Sequence, residues 1–176
     1  AGWDAAADAV RANVAAGPSK PGTPNGERRS AMIWVAVDAM GGDFAPRLVV
    51  DGALAAARHF DLGVALVGRR DAIEAELQRH ADVDASRLRI IDAPDAVAMD
   101  EAPSAALRRK PGASIRVAAG LVAKGEAAAL FSAGHTGATV MAAHAAFGML
   151  PGVDRPALAA TVPTAQRPAV LLDVGA

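Results

Sequence analysis

An α/β fold, a three-layer α/β/α sandwich around a mostly parallel sheet, is predicted by three features of this 176-residue sequence. Short, continuously apolar runs alternate with longer stretches whose apolar residues recur at helical spacing. The runs lack alternating polar positions, as strands buried on both faces require. Two glycine-rich segments, Val35–Asp43 and Ser132–Ala138, each sit at the end of such a run, and open α/β sheets bind ligands at the carboxyl ends of their strands.

Residues 1–31 differ in kind from the rest of the chain. Gly17–Gly26 is a proline- and glycine-rich linker with almost nothing to bury, and Asp4–Ala16 allows one short helix at most. The segment reads as a flexible tail or upstream read-through. The chain starts with Ala, and Met32, directly before a clean strand, is expected as the natural start. No basic end with a continuous apolar stretch marks a secretory signal.

From Met32 the elements come in turn. Met32–Asp38 is a strand, and Pro46–His59 is a helix with Val50, Leu54 and Ala57 on one face. Leu62–Val67 is the second strand. Asp71 with Glu74 three residues on suggests a capping box for a helix buried through Ile73 and Leu77. Arg87–Asp92 is the third strand. The irregular excursion Asp95–Gly112 holds one short helix between Pro103 and Pro111 and reads as a functional loop or lid. Ser114 is expected to cap a helix ending near Lys124, with Gly125 as its stop. Ala127–Ser132 is the fourth strand and Thr136–Leu150 its helix; Leu158–Val162 and Ala169–Val174 are two further strands.

Composition narrows the function. Hydrophobic residues make up 52 %, ample for a core, and 18 Lys+Arg against 19 Asp+Glu leave no broad basic face for nucleic acid. With no cysteine, disulfides, thiolate metal sites and a cysteine nucleophile are excluded, and a reducing compartment, the cytoplasm, is expected. No apolar run reaches the roughly 20 residues of a membrane span; peripheral membrane contact stays open. His59, His80 and His144 have no second ligand at metal spacing, so no metal site is expected. Ser132 and Ser104 have no recognisable base partner, and a Gly-x-Ser-x-Gly elbow is absent.

The segment Ser132-Ala-Gly-His-Thr-Gly-Ala138 passes from strand through a small-residue turn into a helix. Backbone N–H groups and the positive end of a helix dipole then meet at one spot, as phosphate or oxyanion binding needs. Any tight βα turn needs small residues as well. The second segment, Asp38-Ala-Met-Gly-Gly-Asp43, comes after the first strand, so the two loops can converge on one crevice. Neither has the spacing of a dinucleotide fingerprint or a P-loop.

Met32–Pro46 resembles the opening of the bacterial phosphate acyltransferases of phospholipid synthesis, the PlsX family. The resemblance continues through Met99-Asp-Glu-Ala-Pro103, Ser132–Ala138, Leu150-Pro-Gly-Val-Asp-Arg-Pro-Ala157 and Leu171-Leu-Asp-Val-Gly-Ala176. It implies a fold similar to phosphate acetyltransferases and isocitrate dehydrogenases, a homodimer, and transfer of a long-chain acyl group from acyl carrier protein to inorganic phosphate without a cofactor. Residues 32–176 then correspond to a truncated, amino-terminal part of the enzyme. One departure is His135, where the family commonly has asparagine; both donate hydrogen bonds, but only histidine also titrates near neutral pH.

That chemistry is attack of a phosphate oxygen on a thioester carbonyl. Candidate phosphate- or substrate-binding residues are Gly41, Gly42, Asp43, Ser132, Gly134 and Gly137. Backbone N–H groups around Gly134, Thr136 and Gly137 would hold the phosphate or the oxyanion, at about 3–4 kcal/mol per donor. His135, Thr136 and Asp38 are the catalytic candidates. For His135, a catalytic donor and a loop filler are both open. For Asp38 and Asp43, helix capping or loop fixing is favoured over catalysis, because a carboxylate repels phosphate. Arg108, Arg109 and Lys110 suit the acidic surface of acyl carrier protein, or simply a solvated helix end. Met99-Asp-Glu101 is a lid hinge or a polar turn. Alternative functions are a phosphate acetyl- or butyryltransferase using acyl-CoA, and a non-catalytic module binding phosphate or acyl carrier protein.

Overall fold

The computed structural model describes residues 32–173. The tail expected over 1–31 and the last three residues of the closing motif lie outside the described residues. The described chain divides into two units, 32–156 and 157–173.

In the larger unit the order is β1 (Ile33–Asp38), α1 (Arg47–His59), β2 (Leu62–Gly68), α2 (Arg70–Leu77), a 3-10 turn (Ala85–Arg87), β3 (Leu88–Asp92), α3 (Pro103–Arg109), α4 (Ser114–Ala123), β4 (Ala129–Phe131) and α5 (Thr136–Phe147). The expected alternation of strands and helices is present. The four strands are all parallel, in the order β3-β2-β1-β4.

Strand residues alternate between two apolar layers, which is why these runs carry no polar face. Val37, Val64 and Leu66 pack with Val50, Ala53, Leu54 and Ile73 of α1 and α2. Ala36, Ala65 and Val67 meet Ala118 and Leu121 of α4. A third cluster joins α3, α4 and α5 through Leu107, Ile115, Ala119 and Ala142. Leu66 and Val50, both at 0 % exposure, each contribute about 1.5–3 kcal/mol by leaving water. Trp34 pairs in register with Gly63, where a Cβ would stand 2.8 Å from the indole. The missing side chain lets the ring lie flat, with the Arg89 guanidinium 3.7 Å from its centroid.

Three local expectations are corrected. No capping box forms at Asp71: α2 begins at Arg70, whose N–H donates to Asp92 Oδ1 at the end of β3 (3.1 Å), while Glu74 pairs with Arg70 (3.3 Å). Ser114 is the first helical residue of α4 rather than its cap, a position held by Ala113. The helix α5 stops at Phe147, because Gly148 takes φ 69°, a left-handed conformation open to glycine.

In the smaller unit β5 (Ala159–Val162) and β6 (Ala169–Leu172) pair with each other, antiparallel, as a separate two-stranded sheet. The connection over 163–168 is too short for the crossover of roughly a dozen residues that parallel pairing requires. Among the described residues no helix is long and apolar enough to cross a membrane.

Candidate functional site

The strand order reverses between β1 and β4. From β1 the chain steps outward to β2 and β3, then returns to the other side of β1 for β4. The loops after β1 and β4 therefore leave the sheet side by side at a switch point, where an open α/β sheet forms its crevice. Both glycine-rich segments lie there, as their sequence positions require.

Asp38, the last residue of β1 and 4 % exposed, ties the loops together. Its Oδ2 accepts from Ser132 Oγ at 2.8 Å and its Oδ1 from the Met40 N–H at 3.2 Å. Ser132 Oγ in turn accepts from the Gly134 N–H at 3.1 Å. This buried carboxylate thus links the turn after β1 to the turn after β4. Asp43 is exposed and takes no part, and α1 starts after Pro46 without a side-chain cap.

The glycines are required by contact. A Cβ on Gly41 would stand 2.6 Å from Asp38 Oδ2 and 2.7 Å from Ser132 Oγ. Gly42 adopts φ +110°, and a Cβ there would meet the Ala133 carbonyl oxygen at 3.2 Å. Gly137 faces Pro103 of α3, at 3.1 Å from its would-be Cβ.

His135 occupies the N-cap position of α5, and its Nδ1 accepts from the Gly137 N–H at 3.1 Å. With Nδ1 an acceptor, the neutral ring carries its proton on Nε2. Gly134 and Gly137 therefore spend their N–H groups inside the loop. The N–H groups of Thr136 and Ala138 have no acceptor among the described residues, as expected of the first turn of a helix.

Asp38, Met40, Gly41, Val97, Ser114, Ile115, Ser132, Gly134, His135, Ala138 and Thr139 line a cleft of about 10 Å³. Val97 comes from the excursion, which is clipped in place on either side of it. Lys110 Nζ donates to the Ala96 carbonyl (2.8 Å) and to Glu101 (2.5 Å), and Glu101 accepts from the Ala98 N–H (2.9 Å). These bonds hold the Glu101 carboxyl below its ordinary value, Lys110 contributing most. The basic run is thereby divided: Arg108 is exposed, Arg109, also exposed, stands 3.9 Å from Glu101, and Lys110 is half-buried against the excursion. Sequence reasoning missed Ser114 and Val97 as cleft residues, since neither belongs to a glycine-rich segment.

A larger cavity, about 410 Å³, opens at the opposite end of the sheet beside Leu54, Phe60 and Leu88. Its arginines are already committed, Arg58 to the Asp82 carbonyl and Arg87 to the Phe60 carbonyl and Asp61. Of the other histidines, His80 bonds Asp51 at 2.9 Å, and His59 and His144 are exposed. Among the described residues no group of three or more His, Asp or Glu is placed to hold a metal ion.

A parallel sheet with two glycine turns clamped at its switch point defines an open-sheet α/β protein with a ligand-type crevice at the strand carboxyl ends. The model of the fatty acid synthesis protein family matches residues 33–176, and the chain belongs to that family, PlsX. It is 51 % identical over 142 residues to a protein named phosphate acyltransferase from Nitratidesulfovibrio vulgaris (strain DP4), covering 81 % of this chain and 41 % of the relative. Proteins of the same name from Pseudomonas savastanoi pv. phaseolicola (49 % over 143 residues) and Heliobacterium modesticaldum (50 % over 142 residues) match 81 % of this chain and 42 % of their own lengths. The chain thus spans about two-fifths of the length of the curated relatives it matches, their amino-terminal part.

Proposed function

We propose that the complete protein carrying this chain transfers a long-chain acyl group from acyl carrier protein to inorganic phosphate, giving an acyl phosphate for phospholipid synthesis. The observation that carries the reading is the Asp38–Ser132 hydrogen bond, which clamps both glycine turns beside the first turn of α5. The names of the relatives supply the acceptor, phosphate. The long-chain donor, acyl carrier protein, is drawn from the resemblance of the five sequence motifs.

In this reading a phosphate oxygen attacks the thioester carbonyl carbon, forming a C–O bond as the carbonyl electrons move onto its oxygen. Collapse breaks the C–S bond, and the thiolate takes up the proton that the phosphate gives away. The site's task is to hold two negatively charged oxygens with fixed donors. The Thr136 and Ala138 N–H groups and the positive end of α5 are suited to this. His135 offers Nε2–H as a further donor while its Nδ1 holds the turn. Asp38 is a positioning residue: both its oxygens already accept hydrogen bonds, which offsets its repulsion of an incoming anion. Arg108 and Arg109, exposed on α3, are the contact for the acidic carrier protein. The reading places the protein in the cytoplasm as a homodimer, with membrane contact only peripheral.

The test is thiol release from palmitoyl-acyl carrier protein by the full-length gene product, with and without phosphate, against palmitoyl-CoA as donor. Phosphate-dependent release from the carrier protein is expected. Release from CoA alone would assign an acyl-CoA enzyme instead, and binding without release a non-catalytic module.

A further inference from the structure

Ser114 is 1 % exposed, yet no hydrogen bond joins its hydroxyl to any other described residue. Its N–H is bonded, to the Asp95 carbonyl at 2.9 Å, through the isolated parallel bridge that joins Asp95 to Ala113. That bridge sets where α4 begins and leaves Ser114 as its first residue, with its side chain in the cleft wall beside Gly41, Ser132, Gly134 and His135. The hydroxyl is not wholly enclosed: the little surface that Ser114 keeps lies at its Oγ, towards the cleft.

The neighbouring groups point to what it binds. Ile115, next along the same first turn, is also a residue of the cleft wall, and its N–H has no acceptor among the described residues. The ten-residue helix α4 directs the positive end of its dipole to this point. The other two hydroxyls of the cleft are committed: Ser132 gives its proton to Asp38 and Thr139 gives its own to the His135 carbonyl at 3.2 Å. The cavity, about 10 Å³, has room for roughly one water-sized atom. A hydroxyl donor, a free N–H and a helix N-terminus around a space for one atom match a single anionic oxygen.

We propose that the Ser114 hydroxyl, with the Ile115 N–H, binds one oxygen of the phosphate substrate. The inference rests on the phosphate acyltransferase reading and adds α4 to the site, opposite α5. Ser114 is then a substrate-binding residue outside both glycine-rich segments.

The test compares wild type and Ser114→Ala in the full-length gene product, by thiol release from palmitoyl-acyl carrier protein at varied phosphate and by the Tm of each with and without phosphate. Removing a hydrogen bond to a charged oxygen should raise the KM for phosphate roughly 10- to 100-fold. The KM for the acyl donor should be unchanged. Without phosphate, the Tm of the variant should equal or exceed that of wild type, because the hydroxyl has no internal partner to lose. Added phosphate should raise the Tm of wild type more than that of Ser114→Ala. An unchanged KM and Tm response to phosphate in an active variant would overturn the inference while leaving the acyltransferase reading intact. So would a fall in kcat with both KM values unchanged, which would assign the oxygen to the thioester carbonyl. Wild type that releases no thiol and gains no Tm from phosphate would overturn the reading itself.

Discussion

Gly134 lies against Gly41 so closely that a Cβ on Gly134 would stand 2.9 Å from the Gly41 Cα. The main chains leaving β1 and β4 thus touch, and the Asp38–Ser132 bond closes beside that contact. Replacing Gly41 by Ala drives a methyl group into both partners of the bond. Gly41→Ala should cost about 1–3 kcal/mol, read as a lower urea midpoint at unchanged m-value, and should reduce phosphate-dependent thiol release.

Asp38 and Ser132 should be energetically coupled. Asp38→Ala leaves the Met40 N–H and the Ser132 hydroxyl without their acceptor, at about 1–3 kcal/mol. In a double-mutant cycle with Ser132→Ala the two losses should fall short of additive by about 0.5 kcal/mol or more. Additive losses in urea unfolding would mean that the bond contributes nothing to stability.

For His135, the cap and the ring are separable. Asparagine also accepts from an N–H two residues on, so His135→Asn should leave the Tm nearly unchanged. His135→Ala removes the acceptor of the Gly137 N–H and should cost about 1 kcal/mol. Comparing thiol release by the two variants then tests whether a side-chain acceptor and donor are needed here: asparagine keeps both and should largely restore release, whereas alanine keeps neither and should slow it.

The clip over Val97 should loosen in acid. Lys110, first, and the Ala98 N–H hold the folded Glu101 carboxyl below its ordinary 4.5. A carboxylate lowered on folding stabilises the folded state at pH above its unfolded value and loses that contribution as pH falls through the lower folded one. Amide exchange across 95–103, corrected for intrinsic rate, should therefore accelerate below pH 4.5. In Glu101→Gln it should already be fast at neutral pH, with little further response to acid.

Much of this architecture is legible in the sequence because its signals are local. The apolar runs at 33–38 and 62–68 cannot expose either face, and glycines at 41, 42 and 134 announce a close approach. What lies beyond local reading depends on distant partners. Strand order is one case: nothing in the run at 129–131 says that it pairs with β1 rather than β3. Ser114 is another, since a serine before an apolar stretch looks like a cap until the Asp95 carbonyl takes its N–H. Asp92, not Asp71, serves the start of α2 for the same reason. Lys110 looks like the end of a solvated basic run, and only the fold of the excursion brings Glu101 against it.

The two edges of the parallel sheet are chemically unlike. On the outer strand β3, Arg89 and Asp92 are exposed, and such charges deter a foreign strand from adding to an edge. The other outer strand, Ala129-Leu130-Phe131, carries no charge, and Phe131 is 54 % exposed. Within this four-stranded sheet the charge that discourages strand addition is therefore one-sided, present along β3 and missing from β4.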